Sequence, residues 1–283
     1  MGKTTYSFFP GCSLKASGHE NTDSLFRFCE MVDIELQELD DWNCCGSSSA
    51  HSINHEVARN LPLRNLSLAP QGRPLLIACP SCLIRLKQSY LKLKNDPDLQ
   101  EKYRQDWGRS FDPNLEIIHF FELFKRVRLN DYIKNPQKRL KGIKVAPYYG
   151  CMLSMPPDLR REPSHYGLME AVLASLGADV ISHGYETQCC GTYLSVAKPE
   201  LAEKVVTRII SRAMDAGAEC LVTACAMCHL NLEIRCSLKN PIPAFHFSEL
   251  LSMALGAENQ KRWFPKHIVD PIPLLKERGL LKS

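Results

Sequence analysis

Trp42-Asn43-Cys44-Cys45-Gly46 sets two adjacent cysteines before a glycine, and the chain writes the triplet again as Cys189-Cys190-Gly191. Outward from the first doublet stand Cys12, in Phe9-Pro10-Gly11-Cys12, and Cys79-Pro80-Ser81-Cys82. Outward from the second stand Cys151, in Tyr149-Gly150-Cys151, and Cys225-Ala226-Met227-Cys228. Ten of the thirteen cysteines fall into these two sets. A further landmark also recurs in order: His119-Phe120-Phe121-Glu122-Leu123 matches His246-Phe247-Ser248-Glu249-Leu250. Recurrence in one order implies a duplicated unit whose copies differ by small insertions. The expected organisation is a first repeat over 1–140, a second over 141–260 with the boundary near Lys138 to Gly142, and an irregular tail over 261–283. In that tail Trp263-Phe264-Pro265 and Pro271-Ile272-Pro273 interrupt any regular element.

Within each repeat the hydrophobic period alternates between strand and helix. Thr5 to Phe9 and Ile143 to Tyr149 read as strands delivering the first cysteine at their C-terminal ends. Asn21 to Val32, Ala58 to Leu68, Gly167 to Leu176 and Pro199 to Ala216 carry apolar residues at helical spacing. Leu75 to Ala78 and Cys220 to Ala224 read as buried strands ending at the Cys-x-x-Cys pairs, with helices at Leu83 to Leu93 and Leu230 to Cys236 after them. Lys92 to Ser110 reads as a charged helical excursion, while Phe111 to Ile133 fits neither period. Strand, loop and helix in this repetition predict an α/β fold with a small, largely parallel sheet in each repeat, flanked by helices. Such sheets gather ligand-binding loops at the C-terminal ends of their strands, which would bring distant cysteines together.

The chain lacks the roughly 18–20 uninterrupted apolar residues of a membrane-spanning helix. Its first residues, Met1-Gly2-Lys3-Thr4-Thr5-Tyr6, hold no apolar signal core, so a cytoplasmic protein is expected. Cytosolic thiols stay reduced, which makes metal or redox chemistry a better account of thirteen cysteines than disulfides. The net charge of +4 does not argue for nucleic acid. From Arg85 to Lys141 there are fourteen Lys and Arg against eight Asp and Glu, a basic face that suits solvent or an acidic partner. No serine triad, paired carboxylates or phosphate-binding glycine loop stands out.

Thiolates are soft ligands for iron-sulfur clusters, zinc or Cu(I). Thirty-one residues separate Cys12 from Cys44, thirty-three separate Cys45 from Cys79, and two separate Cys79 from Cys82; the second set has gaps of thirty-seven, thirty-four and two. A structural zinc needs four ligands and leaves a fifth unused, so five cysteines per set favour an iron-sulfur cluster over a zinc-stabilised scaffold. Adjacent side chains of an extended chain point apart, and a loop helped by Gly46 or Gly191 lets a doublet aim its two sulfurs at different irons. Helix N-termini beyond Cys79 and Cys225 would favour the thiolate forms.

This pattern of a single cysteine, a Cys-Cys-Gly doublet and a Cys-x-x-Cys pair resembles the cysteine-rich, or CCG, domain family. Two copies in one chain of this size resemble the B subunits of the heterodisulfide reductases, with Phe9-Pro10-Gly11-Cys12-Ser13-Leu14 and Asp41-Trp42-Asn43-Cys44-Cys45-Gly46 in the bacterial style. The resemblance implies two noncubane [4Fe-4S] clusters, one held by Cys12, Cys44, Cys45, Cys79 and Cys82, the other by Cys151, Cys189, Cys190, Cys225 and Cys228. Cys225-Ala226-Met227-Cys228 lacks the proline of its counterpart but no ligand. Splitting a disulfide takes two electrons while a cluster normally passes one, so two clusters facing one cavity match that reaction. An iron-sulfur C subunit and a flavin-containing A subunit of the same complex are the implied partners, with a small-molecule or carrier-bound disulfide or thiol as substrate. A competing implication is an electron-transfer component of a succinate, glycolate or lactate dehydrogenase, passing electrons to quinone.

Outside the sets, Cys29, Cys220 and Cys236 read as packed thiols. His229 and His55 are candidate proton donors to a leaving thiolate. The pairs His119 with Glu122 and His246 with Glu249 read as shared structural devices such as helix caps. Tyr148-Tyr149 suits either the core or the wall of a cluster. The tail around Trp263-Phe264 and the basic Arg85 to Lys141 segment are candidate docking surfaces.

Overall fold

Alternation along short strands decides where each side chain goes. The computed structural model describes residues 3–47, 50–132, 140–154, 165–258 and 260–281. Its first sheet takes β1 (Thr4–Phe9), β2 (Ile34–Glu38), β3 (Leu75–Ile77) and β4 (Ile117–His119) in the order β2-β1-β3-β4. The second takes β5 (Lys144–Tyr148), β6 (Asp179–Val180), β7 (Cys220–Thr223) and β8 (Ala244–His246) in the matching order β6-β5-β7-β8. Every pairing is parallel, as the α/β reading requires. Around the first sheet lie α1 (Gly11–Ala16), α2 (His19–Met31), α3 (Ala50–Ile53), α4 (His55–Leu68), α5 (Pro80–Asn95) and α6 (Pro97–Trp107). Around the second lie α7 (Gly150–Ser154), α8 (Leu168–Ser175), α9 (Pro199–Asp215), α10 (Ala226–Ile234) and α11 (Phe247–Ala254), followed by α12 (Gln260–Trp263) and α13 (Ile272–Glu277).

The two faces of each sheet serve different cores. Tyr6 and Phe8 of β1, Leu76 of β3, Val145 of β5, Val222 of β7 and Phe245 of β8 all point into one cluster shared by both repeats. Their neighbours Phe9, Leu75 and Ile77 face a layer private to the first repeat, and Ala146, Tyr148 and Leu221 one private to the second. Period-two alternation alone produces this division. In the shared layer Phe121 stacks edge-on against Phe247 at 4.7 Å. There α2 meets α11 through Ser24 Oγ and Ser248 Oγ at 2.6 Å, and Ser252 Oγ donates to Ser24 O at 2.9 Å. Of the expected boundary, Lys138 and Arg139 lie outside the described residues. Leu140 is buried and its N–H bonds Leu176 O.

Two expectations change. Phe111 to Ile133, which fitted neither period, supplies β4 and two 3-10 turns, Phe120–Lys125 and Leu129–Tyr132. A three-residue strand is too short to show a period. The tail is not an irregular appendage: it forms α12 and α13, and Trp263, Phe264 and Leu275 are buried in the shared core. Trp263-Phe264 is therefore internal packing rather than docking surface. The basic segment does carry the expected helix, α6, and part of its charge is paired within the chain, as in Lys102 with Glu56 and Arg104 with Glu101. Among the described residues no helix is long and apolar enough to cross a membrane.

Candidate metal centres

The strand ends bring the cysteines together. Cys12 lies in the first turn of α1 directly after β1; Cys79 precedes α5 directly after β3, and Cys82 sits in that helix's first turn. Cys151 on α7, with Cys225 and Cys228 at the start of α10, repeats the arrangement. Registers Phe8 with Leu76 and Tyr148 with Thr223 keep each pair of strand ends level. Each doublet arrives from the loop that follows the edge strand, β2 or β6.

All thirteen cysteines are free thiols. In the first set Cys44 Sγ lies 3.6 Å from Cys12 Sγ, Cys45 Sγ lies 3.2 Å from Cys82 Sγ, and Cys82 bonds Cys79. In the second, Cys190 Sγ lies 3.4 Å from Cys228 Sγ, Cys151 bonds Cys189, and Cys228 bonds Cys225. The two sulfurs of each doublet thus meet different partners. The sets also approach each other: the Cys79 and Cys225 thiols lie close enough for each to shift the other's proton affinity. Both are buried, while Cys12 and Cys189 are exposed.

Backbone and amide groups hold these loops. Gly46 and Gly191 share φ of 75°, a region open to glycine at little cost, and there their N–H groups reach Cys44 Sγ at 3.5 Å and Cys189 Sγ at 3.4 Å. A Cβ on Gly11 would stand 2.9 Å from Cys82 Sγ, and one on Gly150 would stand 3.2 Å from Cys228 Sγ, so both cradles need a bare backbone. Buried Asn65 on α4 accepts from Asn43 N at 2.9 Å and donates to Asn43 O at 2.8 Å. Asn231 on α10 does the same work for the second doublet, donating to Cys190 O at 2.7 Å while Ser195 Oγ donates to it at 2.6 Å. Tyr148 OH donates to Gln188 O at 2.5 Å, fixing the residue before Cys189. Sequence reasoning missed both asparagines, because a buried amide on a helix has no spacing signature.

Crowded thiols share protons. Hydrogen bonds from Cys44 and Cys82 draw Cys45 down to about 4. The bond from Cys151 draws Cys189 to about 6, and the bond from Cys228 draws Cys190 to about 7. The donors move the other way: Cys79 is pushed up to about 12, first by its bond to Cys225, and Cys82 is raised, first by its bond to Cys45. Thiolates packed this closely call for a cation among them, and soft sulfur donors in fives suit iron-sulfur clusters. The cysteine sets and their bare-backbone cradles fit such a group.

Neither candidate proton donor is hydrogen-bonded to a thiol among the described residues. His229 is buried, accepts at Nδ1 from Asn21 Nδ2 at 3.1 Å and donates from Nε2 to Ala244 O at 2.9 Å, which leaves neither nitrogen for a thiolate. It lies near Glu233 and His267, and these hydrogen bonds together with the His267–Glu233 ion pair at 3.1 Å account for that group. His55 opens α4 at the surface and lines a cleft with Arg59, Arg85 and Lys92, a lining that includes none of the ten cysteines. Cys29 and Cys220 are buried thiols raised by burial, and half-buried Cys236 is raised by the same cause. His119 and His246 form capping boxes with Glu122 and Glu249, as their repetition suggested.

The family model for the cysteine-rich domain, CCG, matches this chain twice, over residues 6–87 and 145–233. The chain is 28% identical over 280 residues to the 8-methylmenaquinol:fumarate reductase membrane anchor subunit of Wolinella succinogenes, covering 95% of this chain and 98% of that one. It is 25% identical over 290 residues to the B subunit of the ferredoxin/F(420)H(2)-dependent CoB-CoM heterodisulfide reductase of Methanosarcina acetivorans, covering 95% of each. Lactate utilization protein A of an Exiguobacterium species is 22% identical over 249 residues, covering 82% of this chain and 93% of that one. A hypothetical protein from Helicobacter pylori superposes with a TM-score of 0.73 at 14% identity, over 94% of this chain and 52% of that one, a likeness of fold alone.

Proposed function

The chain belongs to the cysteine-rich, CCG, domain family, and from that premise we propose that it is the B subunit of a heterodisulfide reductase-like complex. In this reading Cys12, Cys44, Cys45, Cys79 and Cys82 hold one noncubane [4Fe-4S] cluster, and Cys151, Cys189, Cys190, Cys225 and Cys228 hold a second. Such a pair supplies two one-electron steps, matching the two electrons that convert a disulfide to two thiols or remove them in reverse. The observation that supports the proposal is the approach of Cys79 to Cys225, each shifting the other's proton affinity, as expected of two cysteine sets that work as a pair.

This chain's own part is to position. The glycine cradles bring backbone against sulfur, Asn65 and Asn231 fix the doublets, and buried Cys79 and Cys225 keep the meeting point dry. Exposed Cys12 and Cys189 mark where solvent and substrate reach each set. An iron-sulfur C subunit and a flavin-containing A subunit would deliver the electrons. The test is iron and sulfide quantitation with EPR on anaerobically purified protein, with and without candidate thiols. Two clusters per chain, with a paramagnetic signal that a thiol alters, are expected; zinc without iron or sulfide overturns the reading.

The similarity to the fumarate reductase membrane anchor subunit favours one second reading, an iron-sulfur electron-transfer component of a flavoprotein dehydrogenase that passes electrons to quinone. Reduced clusters that a quinone reoxidises and no disulfide does would select it.

A further inference from the structure

The two cysteine sets are built alike but backed by unlike charge. In the first repeat His119 Nε2–H donates to Ala78 O at 3.1 Å, the carbonyl just before Cys79. In the second, His246 faces the carbonyl of Ala224, just before Cys225. Behind each histidine its glutamate accepts the histidine's own N–H, Glu122 at 2.9 Å and Glu249 at 2.8 Å. Each glutamate then meets a histidine from elsewhere in the chain: His165 Nε2 lies 3.5 Å from Glu122 Oε1, and His267 Nε2 lies 3.0 Å from Glu249 Oε1.

The correspondence breaks at one pair of equivalent positions. Five residues beyond Cys82, α5 carries Lys87, whose Nζ lies 4.0 Å from Glu122 Oε1. Five residues beyond Cys228, α10 carries Glu233, whose Oε1 lies 3.1 Å from His267 Nδ1. The first set is therefore backed by a lysine, one carboxylate and the His165 imidazole, the second by two carboxylates around the His267 imidazolium, which leaves the second the more negative. These side chains are largely withdrawn from solvent, Lys87 to 13% exposure and Glu233 to 5%. Five residues are about 7.5 Å along the helix axis, so each charge stands on the same helix about one and a half turns beyond a cysteine of its set, and a difference in net charge in so poorly solvated a setting is weakly screened. A negative charge there opposes adding an electron to a neighbouring cluster, and a positive one favours it.

Resting on the two-cluster reading, we infer that Lys87 and Glu233 set the clusters at different potentials, the one held by the Cys12 set accepting an electron more readily than the one held by the Cys151 set. An electron entering from a partner then rests on the first cluster, and the second becomes the stronger reductant once filled.

The test is an anaerobic, EPR-monitored redox titration of the full cluster-loaded chain as wild type, Glu233→Gln and Lys87→Met, with iron measured in each. Two separate midpoint potentials are expected in the wild type. Glu233→Gln should raise the lower one and leave the higher; Lys87→Met should lower the higher one and leave the lower. Lys87→Arg and Glu233→Asp keep the charge and should leave both in place. Coincident wild-type potentials, unmoved potentials in fully loaded neutral variants, or equal shifts in the charge-keeping variants overturn the inference. Should Glu233→Gln load incompletely, Lys87→Met decides alone, because its shift has the opposite sign. A wild type without two clusters would overturn the functional reading instead.

Discussion

Removing the cation at the centre of the C-terminal packing, as His267→Gln, should destabilise the whole protein although no cysteine is touched. His267 sits between Glu249, 3.0 Å from its Nε2, and Glu233, 3.1 Å from its Nδ1, and its side chain and that of Glu249 are fully buried. Burial alone would keep the ring neutral, but the two carboxylates override it and hold its pKa up to about 10. Against an ordinary value of about 6.5, this is worth about 5 kcal/mol of preference for the cation in the folded state. Deleting one partner of a buried ion pair costs about 3–5 kcal/mol by an independent route. At about 2–4 °C per kcal/mol the variant should melt on the order of 10 °C below wild type. The folded-state pKa is raised, so the contribution is complete below about pH 6.5 and is lost as pH rises through about 10. Thermal unfolding followed by circular dichroism across that range should therefore show a gap between wild type and variant that is widest in mild acid and closes in alkali. Equal melting temperatures in mild acid, or a gap that widens with pH, would refute the reasoning.

Three further outcomes follow from the packing. Trp263→Ala should lower stability by about 3–5 kcal/mol through the cavity it leaves, read by denaturant unfolding, since Trp263 is fully buried in the shared core. Asn65→Ala strands the Asn43 amide and carbonyl and Asn231→Ala strands the Cys190 carbonyl, costing about 1–3 kcal/mol per group left unpaired; each should halve iron content by emptying one set while the other stays loaded. In iron-free protein at neutral pH, iodoacetamide should modify Cys189 before Cys12, as peptide mass spectrometry would report. Both are exposed, but the Cys151 bond lowers Cys189 to about 6 whereas the bond to Cys44 raises Cys12, and the thiolate is the reactive form.

Much of the α/β arrangement was legible because its evidence is local. Leu75 to Ala78 and Cys220 to Ala224 announce strands by unbroken apolar runs, and α9 announces itself over Pro199–Asp215 by helical spacing. The short edges were not legible: β6 is Asp179–Val180, and two residues have no period. α1 and α7 escaped for the same reason, being short helices of one to two turns that carry Cys12 and Cys151. His229 looked like a donor because it follows Cys228, yet a helix turns neighbouring side chains about 100° apart, and this one turns His229 toward Asn21 of the other repeat.

Residue type and order were enough to mark out the two cysteine sets, since thiol softness and the repeated doublet need no third dimension to be seen. Order and period likewise carried the duplication and the parallel sheets. The approach of the two sets at Cys79 and Cys225 came only with the packed molecule, because it depends on both repeats folding one face onto a common core. The same packing makes the tail interior and stands Lys87 and Glu233 at equivalent places behind the two sets. Contacts between residues far apart in the chain arise from packing, and packing leaves no local mark in the order of residues.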